Sequence, residues 1–311
     1  MDDADVDLVD AGDGRRLDRL GDRLVDRPAP TATEPPRFPG AWRAADLRFD
    51  AGRGWTNVAG ATPPRNWTTR LGGLVMELRP TSSGGVGLYP EQALNLGWLE
   101  ARIAERAGDR GAERPGDGAA ERPAARPVVL NLFAHTGLAT LAAARAGASV
   151  VHVDATRSSV GWARRNAGLN GLAAAPVRWI VDDALGFTAR EGRRARRYDG
   201  VVLDPPSFGR AGGERWRLLD DLPALLDACA LVAADGAFVL LTAHTAGVEP
   251  GDLAAEAGAA FGRRAIRSRI PQPEPEVVPM DLEARSGAHL RLGWAIRLAG
   301  RPPRGEDDVD G

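Results

Sequence analysis

Lysine is missing altogether from this 311-residue chain, so every one of its 40 basic side chains is an arginine. Arginine suits planar, bidentate contacts with carboxylates and phosphates, but the same composition is what a GC-rich coding sequence produces. Cysteine is reduced to Cys229, which excludes an internal disulfide and a thiolate-based zinc site. The four histidines (His135, His152, His244, His289) show no metal-ligand spacing, so no metal is expected. No apolar run approaches the roughly 18 residues of a bilayer span. The opening segment MDDADVDLVDAGDGRRLDRL is acidic and lacks the apolar centre of a secretion signal, so the cytoplasm is the expected location. A formal charge of −2 advertises no polyanionic partner. What is present, 43 % hydrophobic and 26 % charged residues, supports one large domain or a catalytic domain plus a smaller one.

Residues 1–80 read as short strands and turns. Leu8-Val-Asp-Ala-Gly-Asp-Gly and Arg23-Leu-Val-Asp-Arg-Pro are strand-turn fragments, and Trp42, Trp55 and Trp67 sit among Gly, Asn and Pro, as in a small β-rich accessory domain. GLYPEQALNLGWLEARIA (87–104) opens a connecting helix with Pro90 suited to its first position. Residues 105–126 hold the near-copies GAERPGDG and GAAERPAA, a low-complexity stretch expected to be a flexible insertion. From 127 to 300 strand-like and helix-like runs alternate, and 301–311 is expected to be a disordered tail. The strand-like runs are 128–133, 149–154, 177–181, 199–204, 236–242, 265–270 and 289–298, with helices between all but the last two. Apolar strands separated by helices indicate a doubly wound, mostly parallel seven-stranded α/β sheet buried on both faces, with the last two strands an antiparallel edge hairpin.

Ligands of such sheets bind in the crevice beyond the carboxyl ends of the strands. The first strand ends Asn131-Leu-Phe-Ala-His-Thr-Gly137, a loop with one glycine where a pyrophosphate cradle uses several. That argues against a dinucleotide and suits S-adenosylmethionine, which carries no phosphate. Asp154, ending the second strand, can accept the ribose hydroxyls; the alternative is a helix cap, for which Thr156 is an equally good candidate. Asp182 and Asp183 end the third strand, where one carboxylate can accept the adenine amine and the other can cap the following helix. The fourth strand ends Asp204-Pro-Pro-Ser-Phe208. Two consecutive prolines stiffen this turn so that Asp204 and a proline carbonyl can face a methyl acceptor.

The segments VLNLFAHTG, VDATRSSVGWARRNAGLNGL, WIVDDALGF, YDGVVLDPPSFGR and LLTAHTAG resemble class I S-adenosylmethionine-dependent methyltransferases of the ribosomal RNA large-subunit methyltransferase-like group. GLYPEQALNLGWL resembles the segment that precedes their catalytic domain, so the resemblance covers about residues 85–300. It implies a Rossmann-like catalytic domain over 127–300, with Asn131, Phe133, Thr136 and Gly137 lining the cofactor loop. It further implies Asp154 at the ribose, Asp183 at the adenine, and Asp204, Pro205 and Pro206 at the methyl acceptor. Phe208 could stack on a flipped base or pack under the loop, and Ser207 is a further substrate-contact candidate. His244 could be a base, a substrate contact or a hydrogen-bonding loop residue, and His135 could touch the ligand.

One departure from the family pattern is informative. Relatives that methylate cytosine C5 carry a nucleophilic cysteine just after strand five, where this chain has Thr242-Ala-His-Thr-Ala-Gly247. Cys229 falls among leucines in a helical run and reads as structural. Transfer to a base nitrogen of 23S rRNA is therefore the expected reaction, with RNA rather than DNA or a membrane as partner. The alternatives are a small-molecule or protein methyltransferase and a catalytically inactive cofactor- or RNA-binding module. The arginine runs at 190–197 and 263–269 could grip phosphates or simply be solvated.

Overall fold

The computed structural model describes residues 5–58, 63–112, 126–211, 214–245 and 247–300. It opens with the antiparallel strands β1 (Val6–Gly12), β2 (Arg15–Leu20) and β3 (Arg23–Pro28). Asp13 and Gly14 join the first two at φ 51° and 72°, the left-handed pair a two-residue hairpin turn requires. One helical turn, α1 (Pro39–Trp42), leads to β4 (Leu47–Asp50) and β5 (Gly54–Asn57). Together these five strands form one sheet in chain order, with β4 parallel to β3. A separate hairpin follows, β6 (Trp67–Leu71) and β7 (Leu74–Leu78). The early tryptophans hold this region together: Trp42 Nε1 donates to Asp10, Trp55 Nε1 to the Thr81 carbonyl and Trp67 Nε1 to the Leu20 carbonyl.

After a 3₁₀ turn at Pro90–Gln92 comes α2 (Ala93–Ala112). The sequence suggests that this helix stops at 104, but it continues to Ala112. Arg102 pairs with Glu105 one turn on, and Arg106 reaches Asp199 and the Asp235 carbonyl, so these residues have partners a loose loop would forgo. The remaining stretch, 113–125, and the tail 301–311 lie outside the described residues.

The larger sheet is built from β8 (Val128–Leu132), α3 (Leu138–Arg145), β9 (Ser149–Asp154), α4 (Arg157–Leu169), β10 (Val177–Val181), α5 (Ala184–Arg193) and β11 (Tyr198–Leu203). A short hairpin, β12 (Phe208–Ala211) with β13 (Glu214–Arg217), precedes α6 (Leu218–Val232) and β14 (Ala233–Ala243). The chain continues through α7 (Pro250–Ser268), β15 (Pro275–Glu283) and β16 (His289–Ala299). The order is β10-β9-β8-β11-β14-β16-β15, parallel from β10 to β14, with β16 antiparallel to both neighbours. This is the doubly wound, seven-stranded sheet expected.

Alternation along the strands explains how both faces are covered. In β11, Val201 and Leu203 join the core under α5, α6 and α7, while Val202 joins the core under α2 and α3. Side chains at the C-terminal end of α4 and just beyond it also fasten the β6–β7 hairpin. Asn170 accepts from the Val75 N–H and donates to its carbonyl, and Asn166 accepts from the Glu77 N–H. A smaller apolar cluster (Leu8, Ala11 and Ala29 with Ala284, Ala288 and Leu290) seats the first sheet on the β15–β16 hairpin.

Two strand assignments need correction. The apolar run 265–270 is not a strand, since its first four residues finish α7. Ala265 is buried on the same stripe as Ala257 and Phe261 while Ile266 is 63 % exposed, which is helical rather than alternating periodicity. The edge hairpin exists, but its outer member is β15, whose Pro275 and Pro279 conceal it from a propensity reading; prolines are tolerated in a strand with one unpaired side.

Candidate active site

Four parallel strands, β8 to β11, end on one side of the sheet. The loops there surround a crevice of about 510 Å³, with a narrow inner arm of about 60 Å³ against β8 and α2. The β8–α3 loop has an unusual backbone. Phe133 and His135 have φ of 53° and 47°, a conformation L-residues hold only when the surroundings impose it, and Gly137 has φ 92°, which glycine adopts freely. Those surroundings are specific. The His135 N–H donates to Asp154 Oδ2 (2.9 Å), Thr136 Oγ1 to the Gly87 carbonyl (2.7 Å) and Asn166 Nδ2 to the Thr136 carbonyl (2.9 Å). Asn131 braces the base of the loop by donating to Thr140 Oγ1 (2.8 Å), which in turn bonds His152 Nδ1 (2.9 Å). A Cβ on Gly137 would stand 3.0 Å from the Ala163 Cβ, so loop and α4 meet there without room for a side chain. Asn131, Thr136 and Gly137 line the inner arm, and Phe133 and His135 line both chambers.

Asp154, Asp182 and Asp183 all face the crevice. Asp154 Oδ1 accepts from the Thr156 N–H and hydroxyl, both at 2.9 Å, so with the His135 bond three of its roughly four acceptor sites are taken. Room for one further donor remains on Oδ2. Asp183 caps α5 through Oδ1, which accepts from the Gly186 N–H at 2.7 Å, and its other oxygen makes no such bond. Asp182 accepts from the Asp183 N–H and is paired with Arg190. The capping role weighed for this pair thus falls to Asp183, and Asp182 is occupied by an arginine of the 190–197 run.

At the end of β11, Asp204 Oδ1 accepts from Thr242 Oγ1 at 2.6 Å and lies 3.2 Å from His244 Nε2. His244 Nδ1 bonds the Leu292 carbonyl at 2.9 Å and lies 3.6 Å from Glu91 Oε1. Burial alone would lower the His244 pKa, but Asp204, then Glu91 and the Leu292 carbonyl, push it up to about 9. Burial would raise the Asp204 carboxyl, but the charge and hydrogen bond of His244, with Thr242, hold it below the usual carboxylate value. Nearby His135 behaves oppositely: burial lowers its pKa, and Asp154 and Asp204 offset this only in part. The crevice thus holds an ionised carboxylate beside a charged His244 ring and a neutral His135.

Pro205, Pro206 and Ser207 line the crevice, the serine hydroxyl 2.6 Å from that of Thr245. Phe208 does not. Its side chain is 71 % exposed at the start of β12, and the aromatic position in the crevice belongs to Trp216 across the hairpin. Trp216 Nε1 donates to the Pro206 carbonyl (2.7 Å), and its ring lies 5.2 Å from that of Phe133. Tyr89 forms the opposite wall, its ring 5.6 Å from both His135 and His244. Tyr89, Glu91 and Gln92 belong to the GLYPEQ turn, which the sequence shows as a helix start and as part of the segment resembling the one before the family's catalytic domain but does not mark as site residues, and no sequence signal marks Trp216, because the hairpin that delivers it is a tertiary feature. Cys229 is fully buried in α6, and burial pushes its thiol up to about 12, so it supplies no thiolate. On α7, Arg263 is paired with Asp227 of α6 and Arg264 with Asp235 at the start of β14.

A seven-stranded sheet with this order and carboxylates at successive strand ends defines a class I methyltransferase. The model of the S-adenosylmethionine-dependent methyltransferase family matches residues 113–273, and the chain belongs to that family. It is 33 % identical to a SAM-dependent methyltransferase from Agrobacterium tumefaciens over 96 % of this chain and 91 % of that one, with a TM-score of 0.81. Segments of 80 residues are 45 % and 42 % identical to the ribosomal RNA large subunit methyltransferases K/L of Allochromatium vinosum and Syntrophotalea carbinolica. These matches cover 25 % of this chain and only 11 % of those proteins. The cofactor is S-adenosylmethionine, and the residues fit it: carboxylate oxygens with spare acceptor capacity beside an apolar crevice and, among the described residues, no arginine lining it to meet a phosphate. Among the described residues no helix is long and apolar enough to cross a membrane, and no His, Cys, Asp and Glu cluster could hold a metal.

Proposed function

We propose that this chain methylates a nitrogen of a nucleobase in RNA, with large-subunit ribosomal RNA the first substrate to test. The observation that carries the reading is the Asp204 carboxylate, ionised and rigidly oriented beside a proline turn, in a crevice walled by Tyr89, Phe133 and Trp216. Asp154 would accept one ribose hydroxyl directly, Asp183 the adenine amine through its uncapped oxygen, and the 131–137 loop would hold the methionine portion. Bound there, S-adenosylmethionine supplies an electrophilic methyl group. The protein's own part is positioning and proton removal. Asp204 Oδ1 is engaged by Thr242 and His244, which leaves Oδ2 to accept an N–H from the acceptor nitrogen. The proton leaves once that nitrogen has become cationic and strongly acidic, so a carboxylate of low basicity suffices. The aromatic walls suit a planar ring withdrawn from its stack. The ribosomal relatives' names favour RNA, and the absence of a usable thiolate favours nitrogen over cytosine C5.

The test is transfer of labelled methyl to 23S rRNA from a strain lacking the gene, followed by nucleoside mass spectrometry. A methylated base nitrogen is expected, with kcat falling about 10²–10⁴-fold in Asp204→Asn. Absence of transfer to rRNA while small-molecule or protein substrates are labelled would overturn the RNA assignment.

A further inference from the structure

Glu91 is a puzzle for packing alone. It is 2 % exposed, and its Oε2 has no hydrogen-bond partner. A buried carboxylate so poorly solvated is expensive unless charges nearby use it. Arg16 Nη1 of β2 lies 3.6 Å from Oε2, and His244 Nδ1 lies 3.6 Å from Oε1. Arg16 and Arg27 share Asp18, which accepts Arg16 Nε and Nη2 at 3.0 and 2.7 Å and Arg27 Nε at 2.8 Å, so one of the two positive charges is left for Glu91 to balance. The charges therefore alternate along a line. Arg27, Arg16 and His244 are the cations and Asp18, Glu91 and Asp204 the anions, running from the five-stranded sheet to the methyl-acceptor turn. With His244 neutral, that line would carry an uncompensated buried negative charge.

We propose that Glu91 is a positioning residue: it fixes His244, and through it orients the Asp204 carboxylate at the methyl acceptor, while Arg16 of the N-terminal sheet anchors Glu91. The proposal rests on the reading of Asp204 as the group that faces the acceptor nitrogen, and it gives the N-terminal sheet a part in the active site. The groups facing His244 are Asp204 from the end of β11, Glu91 from the 3₁₀ turn and Tyr89 just before it, and His135 across Tyr89, with Arg16, Asp18 and Arg27 behind Glu91. From β16 the Leu292 carbonyl accepts a hydrogen bond from its Nδ1–H. Gln92 Nε2 lies 3.2 Å from His244 Nε2 and donates to Thr242 Oγ1 at 3.1 Å.

The chain has only four histidines, so each ring can be followed by NMR without substrate. In the full chain the His244 resonance should titrate near pH 9, and in Glu91→Gln about 1–3 pH units lower. The alkaline limb of kcat should follow the same shift, and in a His244→Gln background Glu91→Gln should add no further loss of kcat. Glu91→Asp, which keeps the charge but withdraws it by one methylene, should titrate between the two and serves if Glu91→Gln does not fold. A wild-type His244 titrating in the ordinary range near pH 6.5 overturns the proposal, and so does one whose titration is the same in wild type and either Glu91 variant. Since the titration needs no acceptor, it stands or falls separately from methyl transfer to RNA.

Discussion

Replacing Asp154 with asparagine should weaken S-adenosylmethionine binding by an amount that the carboxylate's hydrogen bonds set. In the wild type Oδ2 holds the His135 N–H, and Oδ1 holds the N–H and hydroxyl of Thr156. One acceptor site is left to the cofactor. Asparagine has a single acceptor oxygen; if it keeps the His135 bond, the amide nitrogen turns toward Thr156 and opposes that residue's N–H. The proposed charge-assisted bond to a ribose hydroxyl is then lost as well, which costs about 1.5–3 kcal/mol. That corresponds to a roughly 10–150-fold rise in Kd. Isothermal calorimetry with S-adenosylmethionine and with its demethylated product reads the effect directly, and both ligands should lose equally because their ribose is identical. An unchanged Kd in a folded variant, or a loss confined to the methylated ligand, would refute the ribose assignment.

Stability should form a dome in pH. The folded-state pKa of His152 is lowered to about 4 by burial, so between about 6.5 and 4 only the unfolded chain gains its proton, and up to about 3 kcal/mol is lost on acidification. His244, raised to about 9, works in the other direction: its contribution is complete below about pH 6.5 and lost, by at most about 3 kcal/mol, as pH rises to 9. Urea titrations at pH 4.5, 6.5 and 9 check both limbs, and His244→Gln should flatten the alkaline one; an alkaline limb unchanged in that variant contradicts the assignment. Gly137→Ala should cost about 1–3 kcal/mol through its φ of 92° and the 3.0 Å approach to Ala163, seen as a lower Tm; an unchanged Tm would mean that the loop relaxes freely.

The parallel strands were legible because each is a short apolar run bounded by turn residues, and their carboxylates because aspartate is conspicuous at a strand end. What escaped was non-local. Glu91 and Gln92 look like the first turn of a helix, and only the fold brings them to His244, 152 residues from Gln92 in sequence. Phe208 and Trp216 show the same limit. A proline turn followed by an aromatic residue suggests that this aromatic faces the ligand, but hairpin register pairs Phe208 with Arg217 and Gly209 with Trp216, and the tryptophan turns inward. Strand β15 was hidden by its own prolines, and 265–270 misled because a short apolar run does not reveal its period.

Those prolines have an effect beyond concealment. As the outermost strand, β15 presents one flank on which another polypeptide could be templated. Pro275 and Pro279 remove amide donors from that strand, and Glu276, Asp281 and Glu283 add charges along it. An incoming strand would meet gaps in the hydrogen-bond ladder and charged side chains, Asp281 with its partner Arg291 among them, so the sheet is guarded against lateral growth at the margin farthest from β10.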